Sequence, residues 1–229
     1  PPIGQVSAQA AIALGIPAGI TIAAGTTDGC ATFLASGASE PGEASTALGS
    51  TIVLKLLSDR PIFAPELGIY SHRIGDTWLA GGASNCGGKT LLQFFSQEQL
   101  ASLESSLDPA KPTGNDYYPL PSVGERFPVS DSKLAPRLTP RPADDAQFLQ
   151  GIYEAFARVE QTGFAKLAEL GGPKLRNVRH AGGGSRSTAW MTLRAQALGV
   201  PQHTAWSEEA AAGAARLAWR SLGHEIAFT

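Results

Sequence analysis

The sequence predicts an α/β fold in which a mixed β-sheet is flanked by helices, and three observations point there. Strand-like segments come first in two pairs, each joined through a short polar tip, Gly49-Ser50-Thr51 and Gly75-Asp76. From Val178 onward the order becomes βαβα, which together with the hairpins implies a mixed sheet. Loops rich in glycine and hydroxyl side chains stand at strand ends, where open α/β sheets hold their ligands. With 229 residues and 43% hydrophobic content, the chain can bury a substantial core.

Ser7 to Leu14 reads as a short alanine-rich helix that Ser7 caps and that Gly15 and Pro17 end. Ile20 to Ala24 reads as a buried strand, followed by a glycine turn from Gly25 to Gly29. Asp28 in that turn is either a base or the cap of the segment beginning near Cys30. Glu43 to Leu48 and the run IVLKLL form the first hairpin, and Gly68 to Ile74 with Thr77 to Ala80 the second. A glycine-rich loop from Gly81 to Gly88 then leads into a helix from about Lys89 to Phe95.

Residues 108–142 hold eight prolines, yet Tyr117, Tyr118 and Phe127 supply apolar anchors, so an ordered surface wrap is expected. Asp144 to Leu170 is the clearest helix, with Phe148, Ile152, Phe156, Val159 and Phe164 at near-helical spacing. Val178 to Ala181 is a short strand running into Gly182-Gly183-Gly184-Ser185, and Ser187 to Leu198 is a helix that Gly199 ends. A last alanine-rich helix, EEAAAGAARLAW, has side chains small enough to pack closely on a sheet.

A net charge of −2 with 17% charged residues leaves no basic face for nucleic acid or anionic lipid, which makes small molecules the expected partners. Cys30 and Cys86 lack metal-ligand spacing and suit a reduced cytosolic or plastid-type compartment. The apolar stretch from Ala8 to Ala24 is broken by Gly15, Pro17 and Gly19, which argues against a membrane span or signal peptide. The four histidines pair with no cysteine or carboxylate, and no serine sits in a G-x-S-x-G elbow. ASNCGGKT, residues 83–90, imitates the phosphate loop of P-loop NTPases but has Ala83 where that motif needs its turn-making glycine. Lys89 is then a solvated first-turn side chain.

Gly25 to Gly29, Leu48 to Thr51 and Gly182 to Ser187 together make a phosphate-binding cleft, with backbone N–H groups and a helix start facing an anion. Four segments follow one another in a specific order: PPIGQVSAQAAIALGIPAGITIAAGTTDGCATFLASG, ALGSTIVLKL, VGERFPVSD and HAGGGSRSTAWMTLRAQALGVP. They resemble the carboxy-terminal half of the FGGY carbohydrate kinases, the sugar-kinase branch of the actin, hexokinase and Hsp70 superfamily with a ribonuclease-H-like core. The resemblance covers nearly all of the chain.

It implies transfer of the ATP γ-phosphoryl to a sugar hydroxyl, with Asp28 as catalytic base. By the same resemblance Gly25, Thr26, Gly49, Ser50 and Thr51 surround the phosphates, and Gly182, Gly183, Gly184, Ser185 and Ser187 surround adenosine. Gly183 is expected to press backbone against the nucleotide, with a positive φ. Magnesium arrives on ATP with no protein ligand. Residues 1–229 would form the carboxy-terminal nucleotide-binding domain, and the amino-terminal sugar-binding lobe would be absent from the chain, which makes it a partner. The chain alone would then be inactive, or else be a nucleotide-binding module with no kinase activity of its own. Ser187 and Thr188 stand where some members have Asn, Gln196-Ala197 replaces a frequent Ala-Asp, and Gln150 stands where many have Arg before Glu154. These departures resemble the xylulokinase-like branch of cyanobacteria and plants, closer to D-ribulose kinases than to glycerol kinases, with a pentulose such as D-ribulose or D-xylulose as substrate.

Overall fold

A computed structural model describes residues 1–224, which divide into two compact units: residues 1–37 with the chain from Trp206 on, and residues 38–205. In the first unit β1 (Pro2–Gln5) pairs antiparallel with β2 (Thr21–Ala23), and α1 (Ala8–Leu14) lies between them in sequence. Ser7 caps α1 by accepting the Ala10 N–H at 3.2 Å, and Gly15 ends it in the left-handed conformation, φ 66°. The expected buried strand is corrected here. β2 is shorter than 20–24, and Ile20 and Ile22 are 43% and 42% exposed. A two-stranded ribbon covers neither face, so apolar content alone does not bury it. Next comes α2 (Asp28–Ser36), capped at its end by Gly37.

The second unit is built on β3 (Glu43–Leu48), β4 (Ile52–Ser58), β5 (Tyr70–Ile74) and β6 (Thr77–Ser84), all antiparallel neighbours. β6 continues through Gly81 to Ser84, where a glycine-rich loop was expected. The glycines are there because the backbone needs room: a Cβ at Gly81 would strike the Leu54 carbonyl, and one at Gly82 the buried Phe127 ring. The following turn enters α3 (Gly88–Leu91), shorter than the expected helix, and then α4 (Gln97–Leu103). The sequence reading missed α4. Its signal is the capping box of Ser96 and Gln99, whose side chains each accept the other's backbone N–H.

The proline-rich wrap is ordered, as expected. Tyr117, Leu120 and Phe127 are buried in the core. Glu125, in the segment GERFP, is 4% exposed and accepts from Ser84 Oγ and the Asn85 N–H, both at 2.6 Å, and from the Tyr118 hydroxyl at 3.1 Å. Such a fully satisfied carboxylate pins the wrap to the end of β6. α5 (Asp145–Glu169) is capped by Asp144 and holds the wrap from the other side: Gln150 bonds the backbone of Asp108 and Lys111, and Glu154 accepts from Thr113.

β7 (Asn177–Ala181) joins the edge of β3 in parallel, α6 (Thr188–Leu198) follows, and β8 (Gln202–Thr204) pairs parallel with β7. The six-stranded order is β5-β6-β4-β3-β7-β8, the mixed sheet that hairpins followed by βαβα imply. α5 packs on β4 and β6, and α6 on α5. Arg194 of α6 and Glu160 of α5 form a fully buried ion pair at 2.6 Å, and the Thr46 hydroxyl of β3 also donates to Glu160. Removing one partner of such a pair costs roughly 3–5 kcal/mol, so α6 is firmly fixed relative to the sheet.

The chain then returns to the first unit with α7 (Ala210–Ser221). Its small residues pack on helix α2 where a sheet was expected. A Cβ at Gly213 would collide with the Ala31 carbonyl, and Arg216 donates to the Leu34 carbonyl at 2.9 Å. Among the described residues no helix is long and apolar enough to cross a membrane, and no group of three potential ligands could hold a metal ion.

Candidate functional site

The second unit contains an open cleft of about 850 Å³. Its floor is backbone from two loops. One is the β3–β4 hairpin tip, contributing Leu48, Gly49 and Ser50; the other follows β7 and contributes Gly183, Gly184 and Ser187. They meet because β3 and β7 are parallel neighbours, which puts a hairpin tip and a strand-to-helix loop at the same end of the sheet. The Gly49 N–H closes the tip by donating to the Thr51 carbonyl at 3.1 Å.

After β7 the loop makes one 3₁₀ turn, Gly183–Arg186, before Ser187 caps α6 by accepting the Trp190 N–H at 3.0 Å. Gly182 carries the positive φ, 91°, and Gly183 does not, which corrects the expectation at Gly183. Gly182 needs that conformation to pass Leu48, whose carbonyl oxygen would lie 2.8 Å from an added Cβ. Gly184 is forced by packing, since a Cβ would run into the Trp190 ring. Gly183 alone of the three faces open space.

One wall is aromatic. Tyr153 stacks on Trp190 with centroids 5.0 Å apart and planes at 11°, and Phe156 packs on the same indole. Burial pushes the Tyr153 phenol up to about 12, so it stays protonated. The opposing wall is the α4 face of Gln97, Leu100 and Ala101, continued by Glu104. Lys89 and Arg186 bring cationic side chains to the rim. A slot of this size, apolar on its walls with glycine backbone and cations at one side, suits a flat base joined to phosphates.

The imitation phosphate loop is spent on the fold. The Gly88 and Lys89 N–H groups donate to the Gly49 and Ser50 carbonyls, at 2.8 and 3.2 Å, and the Cys86 carbonyl accepts from Ile52. Those amides buttress the hairpin tip and leave no cradle for an anion. Burial, with the Glu125 charge beside it, pushes the Cys86 thiol well above its ordinary range.

Of the sequence-expected residues, Gly49, Ser50, Gly183, Gly184 and Ser187 line this cleft, whereas Thr51, Gly182 and Ser185 neighbour them in the same loops without lining it. The Ser185 hydroxyl is used locally, donating to the Gly182 carbonyl at 2.7 Å. Gly25, Thr26 and Asp28 belong to the first unit. The capping alternative for Asp28 is corrected: Thr27 occupies the N-cap position, and Asp28 is the first helical residue, exposed, with Oδ1 accepting the Gly29 N–H at 2.7 Å. Tyr153, Trp190, Arg186 and the α4 face were not among the expected site residues. Arg186 lies within the expected loop and Trp190 just after it, where a glycine and hydroxyl pattern passes over them; Tyr153 and the α4 face come from elements distant in sequence, and only the capping box at Ser96 hints at the latter.

The family model for the carboxy-terminal domain of the FGGY family of carbohydrate kinases matches residues 44–222. Among curated proteins the chain is 26% identical to an autoinducer-2 kinase of Yersinia enterocolitica, covering 92% of this chain and 44% of that protein. It is 24% identical to a xylulose kinase of Staphylococcus epidermidis, covering 96% and 46%. The chain thus spans less than half the length of these relatives. Among solved structures, a xyloylose kinase from Brucella ovis superposes with a TM-score of 0.86 at 27% identity over 98% of this chain and 48% of that one. Plasmodium falciparum glycerol kinase with ADP superposes at 0.75 and 14% identity over 97% and 46%, a likeness of fold alone. The fold is the actin and hexokinase-type ATPase fold that the sequence implied.

Proposed function

The chain belongs to the FGGY family of carbohydrate kinases, and from that premise we propose that it supplies the ATP site and the base of an enzyme that phosphorylates a pentulose such as D-ribulose or D-xylulose. Residues 1–229 act as the carboxy-terminal nucleotide-binding domain, and an amino-terminal lobe supplies most of the sugar contacts. The observation that carries the reading is the cleft, where two tight glycine turns bring backbone to an aromatic-walled slot with Lys89 and Arg186 at its rim. Adenosine lies against Gly183 and Gly184, and the phosphates extend toward Gly49, Ser50 and Thr51. By the family resemblance Gly25 and Thr26 are also assigned to the phosphates, and Asp28 to the base. Similarity to xylulose kinases supports the pentulose, and the departures at Gln150, Ser187 and Gln196 favour the branch found in cyanobacteria and plants. Two buried free cysteines suit a reduced compartment, cytosolic or plastid.

Asp28 accepts the proton of the sugar hydroxyl as its oxygen attacks the γ-phosphorus and ADP leaves. The chemistry demands in-line placement and charge stabilisation more than covalent participation. Magnesium bound to the phosphates supplies part of that stabilisation.

In the full-length kinase, Asp28→Asn is expected to lower turnover by about a hundredfold or more, the usual worth of a general base, with ATP binding retained. Near-normal turnover removes the base role. Mixing the 229-residue chain with ATP, magnesium and a panel of ketoses, and following ADP release with and without sugar, separates a working kinase from a binding module. The reading expects nucleotide binding with little sugar-dependent release.

A further inference from the structure

We propose that Glu104 is a positioning residue of the cleft, tying the α4 wall to the glycine loop and setting the pose of that loop through Ser187. The inference rests on the nucleotide reading of the cleft. Gln97, Leu100, Ala101 and Glu104 fall at i, i+3, i+4 and i+7, one continuous helical face turned to the cleft. From the end of that face the Glu104 carboxylate reaches across to α6. One oxygen accepts the Ala189 N–H at 2.8 Å, and the Ser187 hydroxyl donates to the carboxylate, its oxygen 2.9 and 3.1 Å from the two acceptors.

Ser187 Oγ meanwhile accepts the Trp190 N–H. The first turn of α6 therefore has two otherwise unsatisfied amides served, one by its own cap and one by a carboxylate 85 residues earlier in the chain. The negative charge sits at the positive end of the helix, which strengthens the tie.

Two consequences follow for the site. The Ser187 hydroxyl has its proton committed to Glu104 and an acceptor position committed to Trp190. Through these bonds Ser187 sets the shape of the loop against which the nucleotide is proposed to lie. The loop also ends on this residue, because the Ser187 N–H donates to the Gly184 carbonyl at 3.2 Å. Displacing Ser187 displaces Gly183-Gly184, the backbone that faces the open cleft.

The test is calorimetric titration of ADP into the 229-residue chain and into Glu104→Ala, Glu104→Gln, Ser187→Ala and the Glu104→Ala/Ser187→Ala double variant. Melts run in parallel, and affinity is scored per folded molecule. Glu104→Ala is expected to weaken ADP about five- to tenfold. Glu104→Gln keeps an acceptor for the Ala189 N–H and an amide to reach Ser187 Oγ, so it returns affinity to within about twofold of the unsubstituted chain. The double variant loses no more than the larger single loss, because both residues act in one chain of bonds. Unchanged ADP affinity in Glu104→Ala, a Gln variant no better than Ala, or losses that simply add would each overturn the role. Absence of ADP binding to the unsubstituted chain would overturn the nucleotide reading and this inference with it. ADP that binds but ignores Glu104→Ala overturns the inference alone.

Discussion

The turn between β6 and α3 and the loop between β7 and α6 use the same local design and end in opposite states. Each runs from a strand through consecutive glycines into a helix, with a cation close by, Lys89 in one and Arg186 in the other. At the first, a Cβ on Gly87 would stand 2.7 Å from the Ser50 carbonyl oxygen, one on Gly88 would stand 3.0 Å from that of Gly49, and the amides of Gly88 and Lys89 are donated to that same hairpin tip. At the second, Gly183 meets nothing within 4 Å. Glycine admits the protein's own atoms at Gly87 and Gly88, and also at Gly182 and Gly184, so the two loops differ chiefly at Gly183, which alone meets open space. A glycine-rich strand-to-helix turn therefore marks a close approach without saying what approaches.

Three substitutions test that contrast. The largest effect is expected at Gly87→Val. Gly87 has φ 151°, which L side chains rarely adopt, and a valine would also press on Ser50 and Thr51 backbone, so strain and overpacking together cost about 3 kcal/mol or more in urea unfolding. Unchanged stability would mean that the turn has slack and could open to a ligand. Next in size, Gly183→Val should weaken ADP binding at least about tenfold, near 1.4 kcal/mol on the affinity scale, because the new side chain fills the cleft. Its unliganded melting temperature should stay close to that of the unsubstituted chain. A large stability loss with unchanged affinity of the folded fraction would make this loop structural, like the first. The smallest effect belongs to Lys89→Ala. Its backbone buttresses the fold, and its exposed ammonium adds only a screened charge at the rim, so ADP affinity should fall less than about threefold and the difference should shrink as salt rises. Abolished binding would restore the phosphate-loop assignment for residues 83–90.

The two compact units show where pattern reading succeeds. Helix α5 is legible because Phe148, Ile152, Phe156, Val159 and Phe164 repeat on one face, a signal that needs no knowledge of the partner surface. The strand at 20–24 was misjudged because isoleucines signal burial only when something covers them, and a two-stranded ribbon leaves Ile20 and Ile22 exposed. The alanine-rich last helix was assigned to a sheet; small residues announce close packing, and Gly213 found Ala31 of α2.

The sequence by itself determined the mixed α/β architecture, the long helix, the cap at Ser7, the helix stops at Gly15 and Gly199, and the glycine turns at 49–51 and 182–184. These depend on the backbone's local preferences and on periodicity, which travel with the chain. Only the tertiary structure decided which glycines face a ligand. It also brought Tyr153, Trp190, Lys89 and Glu104 to one cleft, and turned the Ser185 hydroxyl to the Gly182 carbonyl and that of Ser187 to Glu104. The physical reason is that hydrogen-bond capacity and open space are settled by neighbours tens of residues away, such as the carboxylate of Glu104 beside Ala189, and a linear pattern does not record which neighbour arrives.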